Sequence, residues 1–267
     1  MNFSAIVAIF AAVFMILMSH RADGASMVSL LQPSAVMIVL GGTFCAALVN
    51  FSPSTLKNAL KASLDVFVEK EQPHMKVIDE IIYLAHQSRV KGLFSLNEYI
   101  DNIRDPFLKR GIQLSVDFNN NPQMIYDILK AEISYNEEEE LINSRVFEAL
   151  GGYAPTFGIV GAVFGLIQIM GYIQQPDILA QGIAVAFVST LYGVGFANLL
   201  FLPIAGKLKM NTREKILFKE VVLQGIVSIQ MEESPMVIEE KLLAYLKYHN
   251  DYHKVDKKSH MGVYEAR

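Results

Sequence analysis

The sequence predicts an all-α integral membrane protein: four transmembrane helices, a helical cytoplasmic loop between the second and third, and a helical cytoplasmic tail. Three observations carry this. First, 52% of the 267 residues are hydrophobic and the mean hydropathy is +0.31, with the apolar residues gathered into four runs, 3–18, 35–51, 153–173 and 178–205. A bilayer core of ~30 Å requires ~20 apolar residues in a helix; the first two runs are short by that measure and the last two sufficient. Second, the cations are segregated. Of 23 Lys and Arg, only Arg21 lies between runs one and two, none lies between three and four, eleven fall in 52–152 and eleven follow residue 205. Third, the polar stretches repeat their apolar residues at helical spacing.

Run one has no Lys or Arg before it and no small-x-small cleavage site after it, so it reads as a span rather than a cleaved signal peptide. Run two holds Cys45, the single cysteine, which has no intrachain disulfide partner and is expected to be a buried thiol. Lys57, Lys61, Arg145, Lys207, Lys209 and Arg213 flank the runs on one side. Cations near membrane ends stay inside, so both large polar regions and the N-terminus are expected in the cytoplasm. The chain divides accordingly into 1–51 (helices 1 and 2), 52–149 (cytoplasmic), 150–206 (helices 3 and 4) and 207–267 (cytoplasmic tail). A net charge of −4 offers no basic surface for nucleic acid.

Within the loop, "SPSTLKNALKASLDVFVEK" has a cap, an early proline, and Leu56, Leu60, Leu64 and Phe67 as the apolar stripe. "VIDEIIYLAHQSRV" and "SLNEYIDNI" read as amphipathic helices, the latter with Ser95 and Glu98 as a capping box. "NNNPQ" breaks the chain. One long helix then leads into the third span, with Glu137–Glu140 as a solvated face. The tail is helical from Lys207 to about Tyr248, interrupted at Ser234-Pro235, and residues 250–267 look frayed. His249 and His253 have helical metal-ligand spacing but no third ligand, so no metal is expected. Neither is a cofactor or an enzymatic activity: phosphate loop, nucleophile elbow and metalloprotease motif are all missing from the sequence.

Small residues form a stripe on each of the last two spans: Ala154, Gly158, Gly161, Ala162 and Gly165 on one, Ala186, Ser189, Gly193 and Ala197 on the other. Close backbone approach is what joins helices in lipid. The stripes fit equally a plain helical hairpin and a tight space lined around further helices. Thr156, Gln168, Ser189, Thr190, Tyr192 and Asn198 supply the hydrogen-bonding groups, with Tyr153 at the edge. All four runs lack Asp, Glu, Lys, Arg and His. An ion path normally carries an ionisable group, so if ions cross here the carboxylate must come from another subunit.

"APTFGIVGAVFGLIQIM" followed by "AVAFVSTLYGVGFANLLFLPIAGKL" resembles the third and fourth membrane helices of the MotA/PomA flagellar stator family, and "HQSRVKGLFSLNEYI" resembles its cytoplasmic loop. The resemblance covers essentially the whole chain. It implies a stator subunit of the bacterial inner membrane, five copies around two single-span MotB/PomB-type partners that each supply an essential Asp. It also implies that the small-residue faces let the ring close and slide. Pro155 and Pro203 match the prolines that couple ion flow to rotation, and Thr190 matches the pore-side threonine, with Phe187 and Thr156 facing the same space. Sodium-driven relatives tend to carry threonine at the position of Ala162, so the ion implied is the proton rather than sodium. Arg89 and Glu98 resemble the charges that meet the rotor protein FliG; the family's acidic residue falls on Asn97 here, one position early. Two rivals are a TolQ/ExbB-like energiser of envelope processes and a membrane scaffold without ion flux.

Overall fold

A computed structural model of the protein describes residues 3–22, 30–65, 74–118, 121–172 and 176–253, and of 3–6, 9, 65, 74, 176–178 and 246–253 the backbone alone. Phe67 and residues 254–267 lie outside the described residues, as do the side chains of His249 and His253.

Every regular element among the described residues is helical: α1 (Phe3–Ala22), α2 (Pro33–Val36), α3 (Gly42–Asn50), α4 (Pro53–Asp65), α5 (His74–Lys91), α6 (Pro106–Asp117), α7 (Pro122–Met170), α8 (Pro176–Phe196), α9 (Leu202–Gln230) and α10 (Pro235–His253). A π turn at Met37–Gly41 joins α2 to α3, and another at Ala197–Phe201 joins α8 to α9. Among the described residues, six prolines open a helix, at 33, 53, 106, 122, 176 and 235. There the missing N–H is one that no helix would use. Side chains cap several of these starts: Ser52 Oγ accepts from Thr55 N, Asp105 Oδ1 from Leu108 N at 2.8 Å, and Asn121 Oδ1 from Met124 N at 3.0 Å.

Three helical stretches are long and apolar enough to cross a membrane: Pro33–Asn50, part of α7, and part of the run from Leu179 through α9. The apolar part of α1, Phe10–Ala22, is shorter. With 49 residues, α7 is more than twice the length a bilayer requires, so only its apolar C-terminal part is a span. The π turn carries α8 into α9 without a cap.

The chain forms two compact units, Met1–Lys70 with Glu138–Thr212 and Glu71–Glu137 with Arg213–Arg267. The division falls inside α7 and α9. In the first unit, Ala47, Leu56, Ala59, Val146, Phe147, Leu150, Ala154, Phe201 and Leu208 share one core. The second closes over Ile78, Ile81, Leu84, Leu96, Leu108, Ile112, Ile125, Leu129, Ile133, Leu223 and Ile226. Lys130 pairs there with Glu220 at 2.5 Å; that hydrogen bond is the chief reason the Lys130 ammonium is held above its ordinary pKa.

Four expectations are corrected. On α4 the buried face is Leu56, Ala59 and Ser63, while Leu60 and Leu64 are exposed; the core selects the small residues, and the larger ones point away. Cys45 is exposed, on the outward side of α3. The stretch "SLNEYIDNI" forms two short 3-10 turns, Leu93–Glu98 and Ile100–Asn102. Ser95 does not cap a helix; its hydroxyl donates to Gly92 O at 2.7 Å, because Gly92 (φ 85°) reverses the chain just before it.

Candidate functional site: the α7–α8 seam and its open flank

Glycine decides how α7 meets α8. A Cβ added to Gly193 would lie 2.6 Å from Ala154 O, 3.0 Å from Gly158 Cα and 3.1 Å from Pro155 Cα. One added to Gly158 would lie 3.0 Å from Ser189 O, and one on Gly165 2.7 Å from Gly182 O and 2.8 Å from Ala186 N. These are backbone atoms, which cannot step aside. Of the two readings left open by the stripes, the hairpin is the one these glycines build. They face each other across the seam.

The order of contacts reverses along the seam, Gly158 against Gly193 and Gly165 against Gly182 and Ala186, so the helices are antiparallel. Positions rotated by the same amount from each stripe then share a flank. Pro155 and Ala162 on α7 and Thr190 on α8 fall on one flank, with Ile159, Phe187 and Val194 beyond them. The opposite flank is taken: the Phe157 ring fills the space left by Gly42, and Ile38 lies against Gly161. Tyr192 reaches from that side to donate its hydroxyl to Leu30 O. On the first flank, Phe187 is 74% exposed and Val194 48%; Pro155, Ala162 and Thr190 are half-buried.

The hydroxyls on and near this flank donate to their own helices. Thr190 Oγ1 donates to Ala186 O at 3.3 Å, Ser189 Oγ to Val185 O at 2.7 Å and Thr156 Oγ1 to Gly152 O at 2.9 Å. Their oxygens therefore keep only lone pairs for anything that approaches. Ser189 is fully buried against Gly161, so it belongs to the seam. Thr156 is exposed but stands a quarter-turn beyond Pro155, with Val160 and Val163. Pro155 interrupts the interior of α7, leaving Gly151 O without its usual donor. Pro203 is exposed, directly after the Ala197–Phe201 π turn.

Arg89 and Glu98 lie in the second unit, both exposed, Arg89 in the last turn of α5 and Glu98 at the end of the first 3-10 turn. The turn folds back on α5. Lys91 Nζ donates to Tyr99 OH at 3.1 Å, Tyr99 OH donates to Gln87 Oε1 at 3.2 Å, and the Tyr99 ring meets Tyr83 edge-on. The Tyr99 hydroxyl is the main cause of the raised Lys91 pKa, and Glu98 adds a smaller charge effect. Sequence spacing did not show this network, which holds the two charged positions on one corner. Nor did it single out Ile159 and Val194, which the period of Phe187 and Thr190 would have indicated.

Residues 99–220 match the model of the MotA/TolQ/ExbB proton channel family, and residues 6–92 that of the motility protein A N-terminal region. Motility protein A of Bacillus subtilis is 34% identical over 84% of this chain and 83% of its own length. Chemotaxis protein PomA of Vibrio alginolyticus is 29% identical over 84% and 87%. Among solved structures, the flagellar MotAB stator complex from Bacillus subtilis superposes with a TM-score of 0.82 and 32% identity, covering 96% of this chain and 99% of that one. The C. jejuni MotAB structure gives 0.83 and 28%. With its fold, its length and its apolar helices all accounted for by these relatives, the chain belongs to the MotA/TolQ/ExbB proton channel family.

Proposed function

We infer that the chain works as a flagellar stator subunit that, with a MotB-type partner, carries protons through the membrane and turns their flow into torque on the rotor. It is read as a four-span protein of the bacterial inner membrane with both termini in the cytoplasm. Five copies surround two partner helices, each of which brings an Asp. The observation that carries this reading is the uncovered flank of the hairpin, where Pro155, Ala162, Phe187 and Thr190 stand together beside no ionisable group of their own. A path across a membrane that lacks its own titrating group requires one from elsewhere.

The chemistry of the flank favours a proton over sodium. Thr190 has spent its hydrogen on Ala186 O, so its oxygen receives the O–H of a protonated carboxyl and offers nothing to a carboxylate. Protonation of the partner's Asp thus changes which contact it prefers. Sodium needs several oxygen ligands, and Ala162 supplies none. Each elementary charge that crosses releases ~2.3 kcal/mol per 100 mV. Torque leaves through the corner that holds Arg89 and Glu98, which meet a rotor protein of the FliG kind; rim charges of this sort steer and register an interface. A TolQ/ExbB-type energiser has no observation specifically in its favour, whereas residues 6–92 match the motility protein A N-terminal region.

The test is deletion of the gene, followed by microscopy of cells with stained filaments. Filaments that are present but do not turn, restored by the gene and not by Pro155→Ala, support the reading. Normal swimming in the deletion strain, combined with new sensitivity to detergents, supports the energiser instead.

A further inference from the structure

Helix α4 presents two unlike faces. Leu56, Ala59 and Ser63, at i, i+3 and i+7, are buried, Leu56 and Ala59 in the core shared with Val146, Phe147 and Leu150 of α7. Lys57, Leu60, Lys61 and Leu64, at i, i+3, i+4 and i+7, form the outward face, where Leu60 is 53% and Leu64 72% exposed. Both lysines are exposed and make no ion pair among the described residues. The acid of this helix is Asp65 at its end, four residues after Lys61; residues 52–64 contain no Asp or Glu.

The location of this face says what meets it. Only two residues separate α4 from α3, whose last turn includes Val49, 90% exposed, so α4 starts within ~10 Å of the end of a membrane span. Its core partners Val146 and Leu150 precede Tyr153, where the apolar part of α7 begins, by three to seven residues. At 1.5 Å per residue that is ~5–10 Å, comparable to the ~5–8 Å headgroup layer on one side of a bilayer. Leucines flanked by lysines at that depth match an interfacial helix: apolar side chains enter the acyl boundary while the ammonium groups rise to the phosphates.

We propose that the Lys57–Leu60–Lys61–Leu64 face of α4 docks on the adjacent bilayer surface and selects anionic phospholipid headgroups there. This rests on the membrane orientation argued above, but not on ion conduction or torque. At ~1 kcal/mol per lysine near an anionic surface, the two lysines favour anionic over zwitterionic lipid at this helix by roughly tenfold or more.

The chain contains no tryptophan, so a single one is a clean reporter. Full-length protein carrying Leu64→Trp is reconstituted into vesicles of phosphatidylcholine with phosphatidylglycerol, one or the other brominated to quench nearby indole. Val49→Trp serves as the control. The expected result is stronger quenching of Trp at 64 by brominated phosphatidylglycerol than by brominated phosphatidylcholine, the excess disappearing in Lys57→Gln/Lys61→Gln or at high salt. Equal quenching by both lipids overturns the selection of anionic headgroups. Blue-shifted but unquenched emission means that another copy of the chain covers the face, and water-like emission means nothing does; either overturns the proposal. Unquenched Trp at 49 would instead show that the span reading itself is wrong.

Discussion

Gly193→Ala is the sharpest perturbation of the seam, because one methyl group meets three backbone atoms at once. Ordinary carbon contacts begin near 3.4 Å, and the new Cβ would lie 2.6 Å from Ala154 O, with Gly158 Cα and Pro155 Cα close behind. Relief requires α7 and α8 to part by roughly 0.8 Å. A radial gap of 0.5–1 Å forfeits a quarter to a half of the dispersion well for every atom pair along it, and overpacking of this kind costs about 1–3 kcal/mol. Gly161→Ala should cost somewhat less: the Ser189 hydroxyl at 2.6 Å can rotate away, and only the Ser189 Cβ at 2.7 Å is anchored, against three backbone atoms for Gly193. Gly195→Ala meets nothing within 4 Å and gains helix propensity, so it should be neutral. The assay is the heat-denaturation midpoint of the purified full-length protein in detergent, alongside swarm diameter in soft agar. The order Gly193 worst, Gly161 intermediate, Gly195 unchanged is expected in both. Equal tolerance of all three would refute the idea that α7 and α8 touch backbone to backbone.

Thr190→Ala should leave the protein at its normal abundance in the membrane yet reduce swimming under viscous load, with Thr190→Ser restoring it, since only the acceptor oxygen is needed; undiminished torque in the alanine variant would count against that role. Gly92→Ala places a side chain where φ is 85° and ψ 160°, a region held almost exclusively by glycine at ~1–3 kcal/mol for other residues. It should speed hydrogen exchange and proteolysis around residues 92–103 and impair motility, although no atom lies within 4 Å of the new Cβ. Lys241 hydrogen-bonds Glu233 at 2.5 Å and thereby lowers the carboxyl's pKa below its ordinary 4.5, with Ser228 helping. A depressed carboxyl stabilises the fold above its ordinary pKa and loses that contribution as pH falls through the depressed value. Lys241 is 49% exposed, so solvent screening keeps the effect below about 1 kcal/mol. Glu233→Gln should therefore lower thermal stability slightly at pH 7, with the difference shrinking as the pH is lowered below 4.5.

Helix type and position were legible because the signals are local. Prolines preceded by Ser or Asp mark the starts of α4 and α6, and apolar runs mark the spans. What stayed hidden depends on neighbours. Period alone put Leu60 and Leu64 on one apolar stripe with Leu56, but the buried face of α4 is Leu56, Ala59 and Ser63. The spacing of Ser95 and Glu98 satisfies a capping box, yet Gly92 turns the chain first and the short turn that follows spends the Ser95 hydroxyl on Gly92 O. The glycine stripes were visible, but not which surface consumes them; only the positions of Ala154 O, Gly182 O and Ser189 O decide that. Tyr192, read as one more polar group in a span, ties α8 to Leu30, a link across 162 residues with no sequence signature.

The prolines and the missing charges argue together for where the work is done. Six prolines sit where they cost nothing, at helix starts, and two sit where they cost a hydrogen bond, at Pro155 inside α7 and Pro203 after a π turn. Of the two, Pro155 adjoins the flank that carries Thr190 and Ala162, and Pro203 follows the π turn that carries α8 into α9. A carboxylate placed on that flank by the chain itself would cost about 2.5–3.5 kcal/mol in every copy, and its protonation would alter contacts within one rigid subunit. A carboxylate borrowed from a partner alters only contacts between subunits. On the function proposed above, the free energy of each ion that crosses would then appear as relative displacement of the two, which is what a rotary device requires of an ion path.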